Sequence, residues 1–182
     1  MRMRRAERHD QILAAATRAF ARSGFAATSL DDVAAEAGVS RVILYRHFDS
    51  KTDLYRAVLD TACQRLVATV GRDEFTPRTL DALLDAAAQD PDGFRLLFHH
   101  AAREPEFRAE VDALRAGAVD IARSYLEELI PDPAWAAWAT RLAPTVAVDA
   151  VIAWLDAGQP DRARAAERIL HVLAAITDAA QR

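Results

Sequence analysis

The sequence predicts an all-α protein of about nine helices, and three observations carry that prediction. Apolar residues recur three and four positions apart through most of the chain, as in Ile12, Ala16, Ala19 and Phe20. Glycine is scarce, at 6 of 182 residues, and alanine is frequent, which favours helix. The periodic stretches are punctuated by Ser, Thr, Asp, Gly and Pro, and no alternating strand pattern, internal repeat or low-complexity tract is convincing. With 52% hydrophobic residues the chain can bury a core, either as a small head plus a second helical unit or as one larger domain.

The first helix runs from about Arg5 to Ser23 and is stopped by Gly24. Thr28 is placed to cap a second helix, with Asp31 three residues on as its capping-box partner; Leu30, Val33, Ala34 and Ala37 form the inner face. Ala37-Gly38-Val39-Ser40 is a tight turn. Gly38 supplies the backbone freedom to end one helix, and Ser40 caps the next. The third helix spans Arg41 to Phe48, with Val42 or Ile43, Leu44 and Phe48 turned inward. Ser50 and Asp53 open a fourth helix that continues to about Val70 through Leu54, Val58, Ala62 and Leu66. After a loop over Gly71 to Arg78 come helices at about Thr79–Gln89 and Pro91–Arg103. Pro105 suits the start of a long seventh helix ending near Leu129. Pro131-Asp132-Pro133 is a firm boundary. An eighth helix follows to about Ala157, and a ninth from about Asp161 to Ala180.

The net charge of −4 hides an asymmetry. Residues 1–56 hold 10 Lys+Arg against 7 Asp+Glu, and the remainder 13 against 20. A basic end on an acidic body suits a protein that meets phosphate at one end, although an excess this small also arises by chance. The single Cys63 rules out an internal disulfide and fits a reducing cytoplasm. Met1 to Asp10 is basic and no apolar h-region follows, so no signal peptide is expected.

The third helix is short, polar and basic, with Arg41, Tyr45, Arg46 and His47 in eight residues. Held by a glycine turn, it has the shape that fits a DNA major groove. Gly24-Phe25, Thr28, Val33-Ala34, Ala37-Gly38-Val39-Ser40, Leu44-Tyr45, His47-Phe48, Lys51 and Leu54 follow one another without a gap over roughly residues 10–58. In these residues the chain resembles the tetracycline-repressor (TetR) family of bacterial transcriptional regulators. Val42-Ile43 departs from the small residue common after the serine, which leaves the operator sequence open. The resemblance implies a helix-turn-helix DNA-binding domain over residues 1–50 and a ligand-binding and dimerisation domain over residues 51–182. It implies a homodimeric repressor on palindromic double-stranded DNA, released by a small molecule. The family contacts phosphate at the positions of Thr28, Tyr45, His47 and Lys51.

Physical chemistry agrees in part. Lys51, the chain's only lysine, sits in a first helical turn, where a cation is disfavoured unless an anion is near. The alternative is a solvated surface lysine. Ser40 and the residues after it complete the DNA-binding set: Arg41, Val42 and Arg46 would face base edges or backbone, since arginine pairs with guanine and valine meets a thymine methyl. Arg46 could instead pair with Asp49 or Asp53, Tyr45 could be core, and His47 could be structural. Arg2, Arg4, Arg5 and Arg8 form a basic arm, either reaching phosphate or simply disordered.

The eighth helix is apolar nearly all round, its only charges being Arg141, Asp149 and Asp156. Arg141, Pro144 and Asp149 interrupt it too often for a membrane span. It must therefore be covered on both sides, by the core and by a partner subunit, unless it is simply the core of a monomer. Val148, Ile152 and Leu155 with Ile169, Leu173 and Ile176 would form a four-helix interface, as in the family. By the same analogy a cavity is expected among the fourth to eighth helices. Its candidate lining is Leu66, Phe94, Leu97, Phe98, Phe107, Leu114, Tyr125, Trp138 and Leu142, each of which could equally be plain core. Such a lining suits a hydrophobic small molecule. His99, Arg103, Arg141 and Asp149 are the polar candidates. Asp149 among Val148, Ala150 and Val151 must be paired, with Arg168 or His171, or line a wet pocket.

Catalysis is not expected. There is no Gly-rich phosphate loop and no nucleophile elbow, Cys63 has no visible partner, and His99 and His100 point about 100° apart on a helix. Neither a metal nor a cofactor is expected. The rival readings are an activator of the same fold and a helical ligand carrier without specific DNA binding.

Overall fold

A computed structural model describes residues 5–71 and 76–182. The described residues form nine α-helices and no strand. In chain order they are α1 (Arg5–Ala27), α2 (Leu30–Ala37), α3 (Arg41–Tyr45), α4 (Lys51–Val70), α5 (Pro77–Gln89), α6 (Pro91–Arg95), α7 (Arg108–Leu129), α8 (Pro133–Asp156) and α9 (Arg162–Ala180). They divide into two compact units. The head is the chain up to Gln64 together with Asp92–Arg108; the body is Arg65–Pro91 with Ala109–Arg182. By compactness the first unit runs on into α4, and residues 92–108 join it.

The head core is built from Ile12, Ala16, Ala19 and Phe20 of α1, Val33, Ala34 and Ala37 of α2, Leu44 of α3, Phe48, and Leu54, Tyr55 and Val58 of α4, all buried. Phe20 meets Tyr55 edge-on at 4.8 Å, Phe25 meets Phe107 edge-on at 4.9 Å, and Tyr55 lies 4.5 Å from Phe107. Pairs of this kind contribute about 0.5–1.5 kcal/mol each beyond area burial. The Tyr55 hydroxyl is buried with no hydrogen-bond partner, and burial raises its pKa.

Several local expectations are corrected. α1 carries hydrogen bonding on to Ala27, but Gly24, at φ 76 and ψ 171, leaves the helical path where the sequence stopped the helix. The cap of α2 is Ser29, not Thr28, and its capping-box partner is Asp32, not Asp31. Thr28 has turned back: its buried hydroxyl donates to the Gly24 carbonyl at 2.7 Å and to that of Ala19 at 3.3 Å. α3 ends at Tyr45 instead of Phe48, because Phe48 is drawn into the core and the chain turns through Arg46 and His47. α5 starts two residues early, with Pro77 in its first turn.

The expected single helix over Pro91–Arg103 is three pieces: α6, a π turn at Leu96–His100 and a 3-10 turn at Ala101–Arg103. Leu96 and Ala101 are both fully buried although five apart. A wider π turn aligns such a pair, whereas an α-helix sends them to different faces. A second 3-10 turn, Pro105–Phe107, precedes α7.

In the body, Ala122, Leu126 and Ile130 of the α7 end pack with Ala136 and Ala139 of α8 and Ile176 and Ala180 of α9. Asp132 caps α8, accepting from the Ala134 and Trp135 amides. Arg162 ties the start of α9 to α5, donating to the Asp81 carbonyl at 2.8 Å and lying 2.7 Å from the Asp85 carboxylate. α8 is long and apolar enough to cross a membrane by length and composition, yet only 22% of that apolar window is buried within the chain. Arg141, Pro144 and Asp149 interrupt it.

Candidate nucleic-acid interface

The angle between α2 and α3 is fixed by backbone geometry. Gly38 is left-handed at φ 63 and ψ 34. The Gly38 amide donates to the Ala35 carbonyl and the Val39 amide to that of Ala34, closing the end of α2. Ser40 is extended, and its hydroxyl accepts from the Ile43 amide to open α3. Leu44 and Phe48 then bury the inner side, Ile43 is half-buried, and Val42 faces out. The outward face of α3 and its turn carries Arg41, Val42, Tyr45 and Arg46, with Val42 64% and Tyr45 43% exposed.

Arg41 is oriented by two neighbours. Its Nη1 donates to the Asp31 carboxylate at 3.0 Å, its Nη2 donates to the Tyr45 hydroxyl at 3.3 Å, and the guanidinium sits 5.5 Å from the centre of the Tyr45 ring. The Tyr45 contact first, and the Asp31 charge second, hold the guanidinium even more firmly protonated than usual. Arg46 is exposed and forms no ion pair with Asp49 or Asp53. His47 is half-buried, 5.9 Å from His9, which stacks on Phe48 at 4.9 Å. Burial first, then the charges of His9, Arg5 and Arg8, lower the His47 pKa.

In the chain without DNA, Lys51 is not a solvated surface lysine. Its ammonium donates to the Phe25 carbonyl at 2.8 Å and to that of Thr28 at 3.0 Å, and it lies 4.3 Å from the centre of the Phe25 ring. It occupies the negative end of α1, where a cation is favoured. The chain reversal after Gly24 brings those carbonyls to it. Thr28, likewise, has its hydroxyl committed to carbonyls. On α1, Arg18 and Arg22 both bind the Glu36 carboxylate at 2.9 Å, and Gln11 donates to the Ala37 carbonyl at 2.8 Å. Arg5 is exposed and Arg8 donates to Gln11, while Arg2 and Arg4 lie outside the described residues.

No local pattern marks Asp31 as the partner of Arg41, because ten residues and a turn separate them. The Glu36 clamp left a faint one, since Arg18 and Arg22 share a helix face.

Residues 12–58 match the family model described as bacterial regulatory proteins, tetR family. The chain is 31% identical to the HTH-type transcriptional repressor SCO4008 of Streptomyces coelicolor, over 68% of this chain and 69% of that protein. The chain belongs to the TetR family of transcriptional regulators. It is also 34% identical to the HTH-type transcriptional activator FasR of Mycolicibacterium smegmatis, over 65% of this chain but only 58% of that protein, so the match spans less than two thirds of that relative. In fold it resembles a TetR-like regulator from Rhodococcus sp. RHA1, with a TM-score of 0.80, 23% identity and coverage of 97% and 96% of the two chains. It also resembles AibR, solved with isovaleryl coenzyme A and operator DNA, with a TM-score of 0.69, 20% identity and coverage of 91% and 97%.

The TetR-family body places its expected residues less uniformly. Of the cavity candidates, Leu66, Phe94, Leu97 and Phe107 are buried, and Phe98, Leu114 and Leu142 are half-buried. Phe107 belongs to the head's aromatic cluster, and Leu142 packs on the core of α7, α8 and α9. Tyr125, Trp138, His99, Arg103, Arg141 and Asp149 are all exposed. Asp149 makes no ion pair with Arg168 or His171 among the described residues; on the uncovered side of α8 its carboxylate keeps its water and needs no partner.

Ile176 and Leu173, expected at a partner subunit, face the chain's own α7–α8–α9 core. Leu155 and Ile169 are buried as well, whereas Val148 and Ile152 remain half-buried. On α9 it is Leu170 and Val172 that stay exposed, at 37% and 46%. A shallow groove between α8 and α9 is lined by Ala150, Trp154, Pro160, Arg164, Arg168 and Ile169.

Proposed function

We propose that two copies of this chain bind a palindromic operator as a homodimer, repress transcription there, and are released by a hydrophobic small molecule. One observation supports DNA binding above the others: α3 is pinned by buried Leu44 and a fixed glycine turn, while Arg41, Val42, Tyr45 and Arg46 stay exposed together on its far side. That arrangement suits major-groove reading by a helix held at a set angle. Residues 1–50 are the DNA-binding part in this reading, and residues 51–182 serve ligand binding and dimerisation.

The dimer is supported by α8, on which Trp135 and Trp138 are exposed and Val148 and Ile152 are only half-buried by their own chain. Two-fold pairing there would set two α3 helices about 34–36 Å apart, over successive major grooves. α4 belongs to the head up to Gln64 and to the body from Arg65, so a tilt of that one helix would connect the two. Ligand entry would change the head spacing, and the coupling would be a free energy shared between two sites. The acyl-coenzyme A seen with AibR makes acyl thioesters the first ligands to try. The chain would act in the cytoplasm, without enzymatic activity.

The test is a footprint on the DNA upstream of the chain's own gene, repeated with acyl-coenzyme A thioesters of increasing length, beside a transcriptional reporter. A protected palindrome that is lost on adding a thioester, with reporter output rising, supports the proposal. Uniform, salt-sensitive coating of any DNA would leave a helical carrier. A reporter that falls on ligand addition would mark an activator.

A further inference from the structure

We propose that Asp31 is a specificity-determining residue: from the first turn of α2 it holds Arg41 of α3 in a base-reading pose and withdraws that arginine from general phosphate attraction. The inference rests on the DNA-binding reading above and concerns one position of the operator half-site.

The geometry is a three-membered clamp. Asp31 takes Nη1 of Arg41 at 3.0 Å, the Tyr45 hydroxyl takes Nη2 at 3.3 Å, and the Tyr45 ring lies under the guanidinium at 5.5 Å. An unclamped arginine samples many rotamers and loses that freedom when it binds. Two acceptors on different nitrogens remove much of that freedom in advance, and the planar fork is what a bidentate pair with a guanine edge requires. Asp31 and Arg41 are both well exposed, at 64% and 55% of the side chain, so the clamp serves no buried core and adds little to folding.

The charges around it point the same way. Arg18 and Arg22 are bound to Glu36, Lys51 to carbonyls, and Arg41 to Asp31. On α3 and its turn, Arg41 is paired with an acid while Arg46 is exposed without an ion pair among the described residues. Of these two cations, Arg41 is therefore the one whose phosphate attraction an intramolecular acid mutes. The ion pair cancels the Arg41 charge, so a wrong sequence that offers only backbone phosphate gains little from this arginine, while a matching base still meets its fork.

The experiment uses the full-length protein and Asp31→Ala, Asp31→Asn, Arg41→Ala and the Asp31→Ala/Arg41→Ala pair. Base preference is read by selection from a randomised DNA pool, affinity for the selected site and for random duplex is measured over a salt series, and thermal melting is followed in parallel. For Asp31→Ala the expected result is unchanged melting, random-duplex affinity raised several-fold, a salt slope steeper by about one, and preference at one half-site position relaxed about tenfold. Asp31→Asn, which can still accept from Nη1, should steepen the slope while keeping most of the preference. In the Arg41→Ala background, loss of Asp31 should leave base preference as it is.

An operator preference in the parent that Asp31→Ala leaves intact overturns the role of Asp31 alone. The same holds if Asp31→Ala shifts preference equally with and without Arg41. A parent with no preferred sequence overturns the DNA-binding reading together with this inference.

Discussion

The head and the body leave different kinds of surface unfinished. In the head, the polar groups that close the helix ends find partners inside the chain. Ser29 and Asp32 cap α2 reciprocally, Gly38 closes it, and Thr28 and Lys51 take up carbonyls at the end of α1. What remains exposed around α3 is a short row of arginine, valine and tyrosine side chains. In the body, Arg162 and Asp132 secure helix starts just as firmly. Yet Trp135, Trp138, Leu170 and Val172 stay exposed, and Val148 and Ile152 of α8 are only half-buried. The head is complete as a folded unit and offers polar contacts; the body offers apolar area that water disfavours. The first suits a charged polymer, the second another protein surface.

The largest effect should come from spoiling that apolar surface. Ile152→Arg places a charge at a half-buried position of α8. Sedimentation should show a monomer, circular dichroism should show an intact helical fold, and operator affinity should fall on the order of 100-fold as paired binding is lost. A stable dimer after this change would move the contact away from this part of α8.

Lys51 is the sharpest test of the head's self-sufficiency. Lys51→Ala frees the Phe25 and Thr28 carbonyls at the end of α1 and should cost about 2 kcal/mol of stability, read as a lower denaturant midpoint. At temperatures where the variant stays folded, the salt slope of DNA binding should be unchanged. A slope reduced by about one would return Lys51 to the phosphate contacts.

Tyr55 runs the other way. Its hydroxyl is buried and unpaired amid Phe20, Phe25 and Phe107. Tyr55→Phe should therefore raise stability by about 1 kcal/mol, because it removes a desolvated polar group and keeps the ring. A loss of stability instead would show that the hydroxyl has an acceptor in solution.

The contrast between head and body was only partly legible in the sequence. Helix number, the glycine turn and the outward row on α3 follow from local rules, because capping and 3.6-residue periodicity act within a few positions. Ser29 and the neighbouring Thr28 are equivalent cap candidates in the sequence, since two adjacent hydroxyls look alike until one is seen to bond backwards. The partners of Lys51 lie 23 and 26 residues away, and they are carbonyls, which every residue has; no pattern of side chains could announce them. The α9 stripe of Ile169, Leu173 and Ile176 was periodic and apolar, but periodicity does not say whether the neighbour is the same chain or a second copy. The split of Pro91–Arg103 into α, π and 3-10 turns answers to the burial of Leu96 and Ala101, a tertiary demand.

The smallest expected effect is on pH, and it tests whether the head responds alone. Burial, with His9, Arg5 and Arg8 nearby, lowers the His47 pKa below the ordinary 6.5. Above that value His47 is neutral both folded and unfolded, and its contribution is fully present. As pH falls below 6.5, the unfolded chain takes up the proton more readily, so stability declines until the lower folded value is passed. Hydrogen exchange at pH 7.5 and 5.5 should show faster opening of α3 and its turn at the lower pH, beyond the intrinsic pH effect on exchange, with α8 and α9 matched. His47→Gln should abolish the difference. Equal loosening in both units would mean that the proton acts somewhere other than beside His9 and Phe48.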